Sequence, residues 1–273
     1  MGRLLASAGL ALGVAFSAAG GLPAQAAPTL TAARVKAVLA AATPEKPADL
    51  GGKDLSGLDL SGMSLKGAKL ADAVLKGTRL VKADLSGANL FGANLTEADL
   101  SEANLAGANL DVAVLRDAKF RGAKLQGASL FATIAERTDF SGADLSDTRI
   151  IGYLKEADLS GAKLVNTNMG ADRGNQPMGV MKTNLTGANL QRAILTGANL
   201  TKVDFTRADL TGADLAGADL TLAELTEANM TGVRRDRVKG IDRALNVDKA
   251  RWGSASTSRG KAPSTPAAPS GSR

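Results

Sequence analysis

Carboxylates are the side chains of this sequence best suited to acid–base chemistry or to metal binding. The chain has 27 aspartate and glutamate residues, but it has no histidine and no cysteine. It therefore lacks the commonest general base and metal ligand, and it has no thiolate for a metal site or a disulfide bond. It also contains neither a nucleophile elbow nor a phosphate-binding loop. We expect no enzyme activity, no cofactor and no small-molecule substrate.

A polar segment near residue 175 is a second place where ligand chemistry could occur. Within residues 170–183 it contains Asp172, Arg173, Asn175 and Gln176. Loops on rigid scaffolds often carry function, and the Asp, Asn and Gln side chains could bind a ligand. Their spacing matches no metal or phosphate motif. A connector that bulges from the scaffold is the preferred interpretation, and a loop site is the alternative.

The strongest pattern in the sequence is a five-residue repeat of large apolar side chains. From Leu50 to Ile150 every fifth residue is large and apolar except Ala135, and further runs cover residues 154–169 and 185–230. Alanine usually lies two positions before each of these residues, and glycine often lies two positions after. A period of five fits neither a helix nor a flat strand. Each unit must therefore form one side of a turning coil, with glycine easing the bend.

One unit shows the repeat in full, and it consists of Ala88, Asn89, Leu90, Phe91 and Gly92. It resembles the A(D/N)LxG signature of the pentapeptide repeat family, and the resemblance extends over roughly residues 50–230. It implies an all-β solenoid, a right-handed quadrilateral β-helix with four units in each coil. At about 4.8 Å per stacked strand, about nine coils would form a rod roughly 43 Å long.

The regions outside the repeat are expected to be a signal peptide, two caps and a tail. Arg3 precedes an apolar run, and residues 24–26 fit the small-x-small cleavage rule, so residues 1–26 predict a signal peptide. Residues 27–49 predict an N-terminal cap with a short helix, residues 231–252 a C-terminal cap, and residues 253–273 a disordered basic tail. We therefore expect a bacterial protein that is exported to the periplasm or secreted.

Charge is divided unevenly along the chain. Residues 50–230 carry 19 basic and 22 acidic side chains, whereas residues 231–273 carry 10 basic and 3 acidic side chains. The basic tail could make weak contact with an anionic surface, such as lipid head groups, a cell-wall polymer or nucleic acid. A disordered end that only increases solubility is the alternative. We do not expect nucleic acid to be the principal partner.

Residues twenty positions apart should stack, so the outward side chains can be interpreted as columns along the rod. In two columns opposite charges mostly alternate: Asp84, Asn104, Lys124 and Asp144 form one, and Asp59, Arg79, Asp99, Lys119 and Asp139 form the other. Each stacked pair should contribute about 0.2–1 kcal/mol. This pattern favours a structural role for the carboxylates over an acid–base site.

Two further columns are apolar and lie next to each other. Ile194 joins them if the interruption counts as three units plus one inserted residue. An aligned apolar strip on a polar surface usually marks an interface. The predicted docking or homodimer edge consists of Val74, Phe91, Val114, Phe131, Ile134, Ile151, Tyr153 and Ile194. The alternatives are that another segment covers these residues, or that they are present because they favour strands.

Together these features favour a non-catalytic, extracytoplasmic rod that binds or scaffolds a protein through its apolar edge. Two other functions stay open. Some members of the resembled family imitate DNA and bind topoisomerases, but the leucine ladder, the mildly acidic rod and the signal-like N-terminus of this chain depart from that pattern. Threonines that follow the ladder after residue 185 could bind ice, but they are spread over several sides.

Overall fold

The computed structural model describes residues 30–43, 45–171 and 181–253. The predicted signal peptide, the tail beyond Gly253 and the predicted loop residues Asp172, Arg173, Asn175 and Gln176 lie outside the described residues. No helix in the described part is long and apolar enough to span a membrane.

Parallel β-bridges between residues twenty positions apart build the body of the protein. Asp54 pairs with Val74, Val74 pairs with Asn94, and the same spacing recurs around the coil. The amide of each inward leucine donates to a carbonyl of the next coil, as in the 2.7 Å hydrogen bond from Leu90 N to Asn109 O. This ladder confirms the predicted β solenoid.

Each coil has four sides, which we name by the leucines that point inward from them. Side 1 contains Leu90, side 2 Leu95, side 3 Leu100 and side 4 Leu105, and all four are fully buried. The alanines two positions before the leucines are buried as well. The core is therefore a narrow apolar column that runs along the axis of the rod.

The polar residue before each leucine has a structural reason. Its side-chain oxygen accepts a hydrogen bond from the amide two residues later, as in the 3.0 Å bond from Ser101 N to Asp99 Oδ1. Asn89 accepts from Phe91 N in the same way, at 3.1 Å. Asp and Asn suit this turn because their short side chains place an acceptor within reach of the backbone. This explains the Asp/Asn position of the repeat.

The two longest strands lie in the middle of the rod. Strand β1 spans Ser129–Ile134 and strand β2 spans Arg149–Tyr153, and they pair in parallel. The register shifts between Phe131 and Thr133, because the second strand is one residue shorter at this point. The one-residue deletion expected between Ile150 and Leu154 is therefore confirmed.

Both ends of the coil are covered by non-repeat segments. Helix α1 spans Ala32–Ala40, and Val35 packs fully buried against the core at the N-terminal end. At the C-terminal end, two 3-10 turns span Ile241–Arg243 and Val247–Lys249. Within this segment Trp252 donates a 3.0 Å hydrogen bond from Nε1 to the carbonyl oxygen of Val247, and the β-bridge between Arg251 and Asn229 ties the segment to the coil below.

The interruption near residue 175 is an insertion within a single unit. Tyr153 pairs with Asn184, and Lys163 pairs with Ile194, so each step is 31 residues long instead of 20. The Thr183 hydroxyl closes this coil, because it lies 2.9 Å from Ile150 O and 2.7 Å from Met169 O. The count of three units plus one residue is therefore wrong, since the coil closes directly from Met169 to Thr183.

Candidate protein-binding edge

Large apolar side chains gather where side 1 turns into side 2. We call this group the apolar edge, and it consists of Phe91, Val112, Val114, Phe131, Ile134 and Tyr153. Phe91 is 44% exposed, Val112 45% and Tyr153 52%, whereas the other three are half-buried. They belong to units of four successive coils, which follow Leu90, Leu110, Leu130 and Ile150 of side 1.

The predicted columns do meet at this corner. Val74, Asn94, Val114 and Ile134 pair in sequence along side 2, and Ile134 pairs with Tyr153. At about 4.8 Å per coil, the column from Val74 to Tyr153 is about 19 Å long. Half-buried Val74 extends the apolar edge toward the N-terminal end of the rod.

Ile151 does not lie on the exposed surface. It stacks on Phe131, but only 1% of its surface is exposed. The one-residue deletion explains this, because Ala132, which has a φ of 57°, has no counterpart in the shorter strand. Without a left-handed residue to turn the corner, the chain passes directly from Ile151 into the buried Gly152. The prediction that Ile151 is part of an exposed edge is therefore wrong.

Ile194 lies on a different side of the rod. It pairs with Lys163 and Asp214 on side 4, and it is 36% exposed. Its predicted place in the column of Val74 is wrong. The interruption forms one side of the coil instead of the three that were expected, so every later residue lies two sides away from its predicted position.

Val112 belongs to the apolar edge, although it lies in neither of the two predicted apolar columns. It occupies the corner position with a φ of 63°, and it is the β-branched residue among the positive-φ residues of the described part. A left-handed conformation costs a non-glycine residue roughly 1–2 kcal/mol, and it is most unusual for a β-branched side chain. An exposed valine at a position that favours glycine was the signal that could have identified it.

Exposed apolar side chains elsewhere follow the same corner. The described part exposes six large hydrophobic residues: Phe91, Val112, Tyr153, Ile194, Leu222 and Leu245. Leu222 lies above Lys202 at the corner between sides 1 and 2, and Leu245 pairs with Glu224 on side 2. Ile194 alone among these six lies away from this corner and side 2.

A rim of paired charges borders the apolar edge on side 2. Arg116 and Glu136 form an ion pair at 2.9 Å, and Arg137 and Asp117 form one at 2.6 Å. The hydrogen bond and the positive charge of Arg137 hold the pKa of Asp117 below its ordinary value. The rim is thus polar but locally neutral.

Aromatic contacts border the apolar edge on side 1. The Arg149 guanidinium lies 4.1 Å from the ring centroid of Phe131. Asp111, between the two phenylalanines of this column, accepts a 2.9 Å hydrogen bond from Phe131 N. The Arg149 guanidinium thus stacks on the ring of Phe131, and the Asp111 carboxylate has a hydrogen-bond partner. Both phenyl groups still reach the surface.

The carboxylates of the charge columns are structural in the described part of the chain. Arg79 lies 3.7 Å from Asp59 in the next coil, as the column prediction required. Burial raises the pKa of Asp139, but hydrogen bonds from Ser141 and Arg121 outweigh it and leave the pKa below its ordinary value. No group of acidic residues there is arranged to hold a metal ion. A lowered pKa also makes a carboxyl a poor general acid at neutral pH.

Four threonines of the later coils, Thr201, Thr211, Thr221 and Thr226, use their hydroxyls within their own turns. The hydroxyls of Thr221 and Thr226 donate to Asp219 and Glu224, both at 2.6 Å, and Thr211 donates to Asp209. Ordered ice-binding faces need hydroxyls that are directed at solvent, so these contacts offer no support for ice binding.

The family model for pentapeptide repeats matches the chain in 8 copies, over residues 54–92, 93–130, 123–152, 183–221 and 204–234. These segments cover more than half of the sequence. The chain belongs to the pentapeptide repeat family. No curated protein matches this pentapeptide repeat protein in a sequence comparison.

Solved structures of other pentapeptide repeat proteins are similar to it. HetL, a protein involved in heterocyst differentiation regulation in the cyanobacterium Nostoc sp. strain PCC 7120, is 29% identical, with 72% of this chain and 86% of HetL covered and a TM-score of 0.24. The plasmid-mediated fluoroquinolone resistance protein QnrB1 is 15% identical over 73% of this chain and 93% of its own, with a TM-score of 0.33. A protein of the Arabidopsis thaliana thylakoid lumen is 34% identical over 42% of this chain and 66% of its own, with a TM-score of 0.19.

Proposed function

We propose that this pentapeptide repeat protein is a non-catalytic, exported rod that binds a protein partner through its apolar edge. The rod would be right-handed and about nine coils long, as the family pattern implies. One observation carries the proposal: five of the six exposed large hydrophobic residues in the described part lie at one corner or on the side that adjoins it.

The composition of the edge is that of a protein interface. Interfaces combine an apolar core, which is rich in aromatic residues, with a polar rim. Here Phe91, Phe131 and Tyr153 provide the aromatic groups, and the ion pairs on side 2 provide the rim. None of the exposed groups is needed to fill the core, because the ladder leucines and alanines already do so.

The backbone at Val112 supports the same conclusion. Glycine occupies the equivalent corner of the preceding coil, at Gly92, and would be the less strained choice here. Seventeen other non-glycine residues of the described part share this conformation, but Val112 is the β-branched one, for which the conformation is most unfavourable. We therefore attribute Val112 to binding and not to folding.

The shape of the edge restricts the partner. A corner of a solenoid is convex and narrow, so it cannot form a pocket for a small molecule. It fits a partner that presents an apolar groove about 19 Å long, the length of the column from Val74 to Tyr153. Aromatic anchors that enter such a groove commonly dominate the binding energy.

Two substitutions that restore ordinary repeat residues test this proposal. Phe91→Ser gives the residue found at the same unit position in Ser101 and Ser141, and Ile194→Asn gives a residue typical of its own position. Because both side chains are exposed, neither change should alter the fold. The partner is identified by cross-linking the exported chain, and its affinity is then measured with purified components.

The proposal requires that Phe91→Ser weakens binding while the matched control Ile194→Asn leaves it unchanged. Equal binding by wild type and Phe91→Ser would refute the assignment of the edge. A loss in both variants would point to a surface that includes side 4 instead. Export is tested separately, by sequencing the N-terminus of the chain recovered outside the cytoplasm, where the sequence predicts a start at Ala27.

A further inference from the structure

A ring of basic side chains surrounds the C-terminal end of the rod. Arg237, Lys239, Arg243, Lys249 and Arg251 are all exposed. They lie around the perimeter of the last coil. The backbone of Lys239 forms a β-bridge with Asp219 on side 1, and the backbone of Arg251 forms one with Asn229 on side 3. Exposed Asp236, Asp242 and Asp248 lie among them, so residues 234–251 carry seven basic and three acidic side chains and keep a net positive charge. The cations surround the end of the rod and do not follow one face of it.

These cations differ from those of the rod in their contacts. Arg116 and Arg137 form close ion pairs within their columns, and Arg234 pairs with Asp214 and Asp236. Within the described residues, none of the five ring cations forms an ion pair of this kind. The pKa of Asp219 is lowered by the hydrogen bond from Thr221 and also by the positive charges of Lys239 and Arg243. These two cations therefore act on the coil below only at longer range.

The same end also carries apolar side chains, with Leu245 on the outward position of side 2 and the others packed against the core. Leu245 is 46% exposed, and Ile241, Val247 and Trp252 are partly exposed. Trp252 is the single tryptophan of the chain, and the Arg235 guanidinium lies 5.0 Å from its ring. An indole beside basic side chains is the composition that prefers the boundary between lipid head groups and acyl chains.

We infer that the C-terminal end of the rod docks on an anionic membrane surface, with the rod axis pointing away from it. The charges are complementary to anionic lipid, and the chain continues beyond Gly253 with Arg259, Lys261 and Arg273 and no acidic residue. Cations on several sides of the end, together with the partly exposed Ile241 and Trp252, suit a surface that meets the end of the rod. A nucleic-acid site would instead place its cations along a groove that follows the phosphate backbone.

Fluorescence of Trp252 provides a direct test. The chain is purified as its host cell produces it, and it is titrated with vesicles of phosphatidylcholine, with or without phosphatidylglycerol. We expect a blue shift of the emission, and quenching by brominated lipid, only with the anionic vesicles. Each basic residue near an anionic surface contributes roughly a fivefold gain in binding, so the triple variant R237Q/K239Q/K249Q should bind roughly 100-fold more weakly.

The matched control is K53Q/K66Q/K69Q, which removes three exposed charges from the opposite end of the rod. It should bind as wild type does, and circular dichroism should show that both variants are folded. Equal losses in the two variants would overturn the inference, because they would show dependence on net charge alone. Two other results would also overturn it. If the chain truncated after Gly253 shows no change in Trp252 emission when anionic vesicles are added, binding belongs to the tail. If the chain binds duplex DNA more tightly than anionic vesicles at the same salt concentration, the surface is a nucleic-acid site. None of the six residues of the apolar edge lies in the last coil, so loss of vesicle binding in R237Q/K239Q/K249Q leaves binding to the proposed protein partner unaffected.

Discussion

Replacing Val112 by glycine should leave the stability of the rod nearly unchanged but weaken partner binding. Val112 turns the corner between sides 1 and 2 with a φ of 63°, and 45% of it is exposed. The backbone conformation opposes valine, whereas the exposed side chain is part of the apolar edge. The substitution therefore separates what benefits the fold from what benefits binding.

The two effects can be estimated from the structure. Relief of the left-handed conformation is worth roughly 1–2 kcal/mol, and the greater flexibility of glycine in the unfolded chain removes about 0.5–1 kcal/mol of it. Because 45% of Val112 is exposed, the rest of it is already buried in the rod, and losing that burial costs about 1 kcal/mol. The backbone gain and the packing loss nearly cancel, so the free energy of unfolding should change by less than about 1 kcal/mol. Full burial of a valine side chain contributes about 1.5–3 kcal/mol, so burying its exposed 45% in a complex contributes about 1 kcal/mol, or roughly a fivefold change in Kd.

Urea unfolding followed by circular dichroism measures the first effect, and binding to the purified partner measures the second. Ala132→Gly is the matched control, because Ala132 has a φ of 57° at the corner of the next coil. It relieves a similar backbone conformation but removes only a methyl group. We expect Ala132→Gly to stabilise the rod and leave partner affinity close to that of wild type.

Either half of this prediction can fail independently. If Val112→Gly lowers the free energy of unfolding by clearly more than about 1 kcal/mol, then packing of the valine outweighs its backbone conformation, and Val112 is a structural residue. If stability is nearly unchanged and partner affinity is unchanged as well, the exposed valine does not contact the partner, and the apolar edge loses its central member.

Three other outcomes follow from the contacts of the coil. Thr183→Val removes the hydroxyl that closes the coil at the insertion, and it should lower the free energy of unfolding by about 1–3 kcal/mol in urea denaturation, because buried carbonyl groups lose their donor. Phe120→Ala removes one ring of the stacked pair with Phe140, whose centroids are 5.0 Å apart, and it should cost about 3–5 kcal/mol, seen as faster hydrogen exchange in the neighbouring coils. Arg137→Gln should raise the pKa of Asp117 toward its ordinary value of 3.8 in a carboxyl NMR titration. A carboxyl whose pKa is lowered on folding stabilises the protein above its ordinary pKa, and this stability is lost as pH falls through the pKa of the folded state. Wild type should therefore lose stability more steeply than Arg137→Gln below about pH 4.

The stacking of residues twenty apart could be predicted from the sequence because the repeat is strict. Once four five-residue units make a coil, simple counting places Val74, Val114 and Ile134 in one column and Phe91 and Phe131 in another. The buried threonines were not predicted, although they occupy alanine positions. Thr138 shows how the core accepts them, since its hydroxyl donates to the carbonyl of Leu115 at 2.7 Å.

Counting failed at the longer break in the repeat. The step of sixteen positions from Met169 to Leu185 can be divided in more than one way, and the bonds of Thr183 and the β-bridge of Tyr153 with Asn184 show that the coil closes after a single unit. That closure moved Ile194 to side 4. Similarly, the deletion at Gly152 could be located from sequence, but its effect on Ile151 could not, because burial depends on how the backbone turns the corner.

The sequence by itself determined the repeat, the inward ladder and the columns, because each depends on a periodicity that nearest-neighbour stacking converts directly into position. The tertiary structure decided which apolar residues reach solvent. Exposure at Val112 and burial at Ile151 depend on a single backbone φ angle at the corner, which periodicity does not specify. The apolar edge is therefore a product of local departures from the repeat, whereas the rod that carries it is a product of the repeat itself.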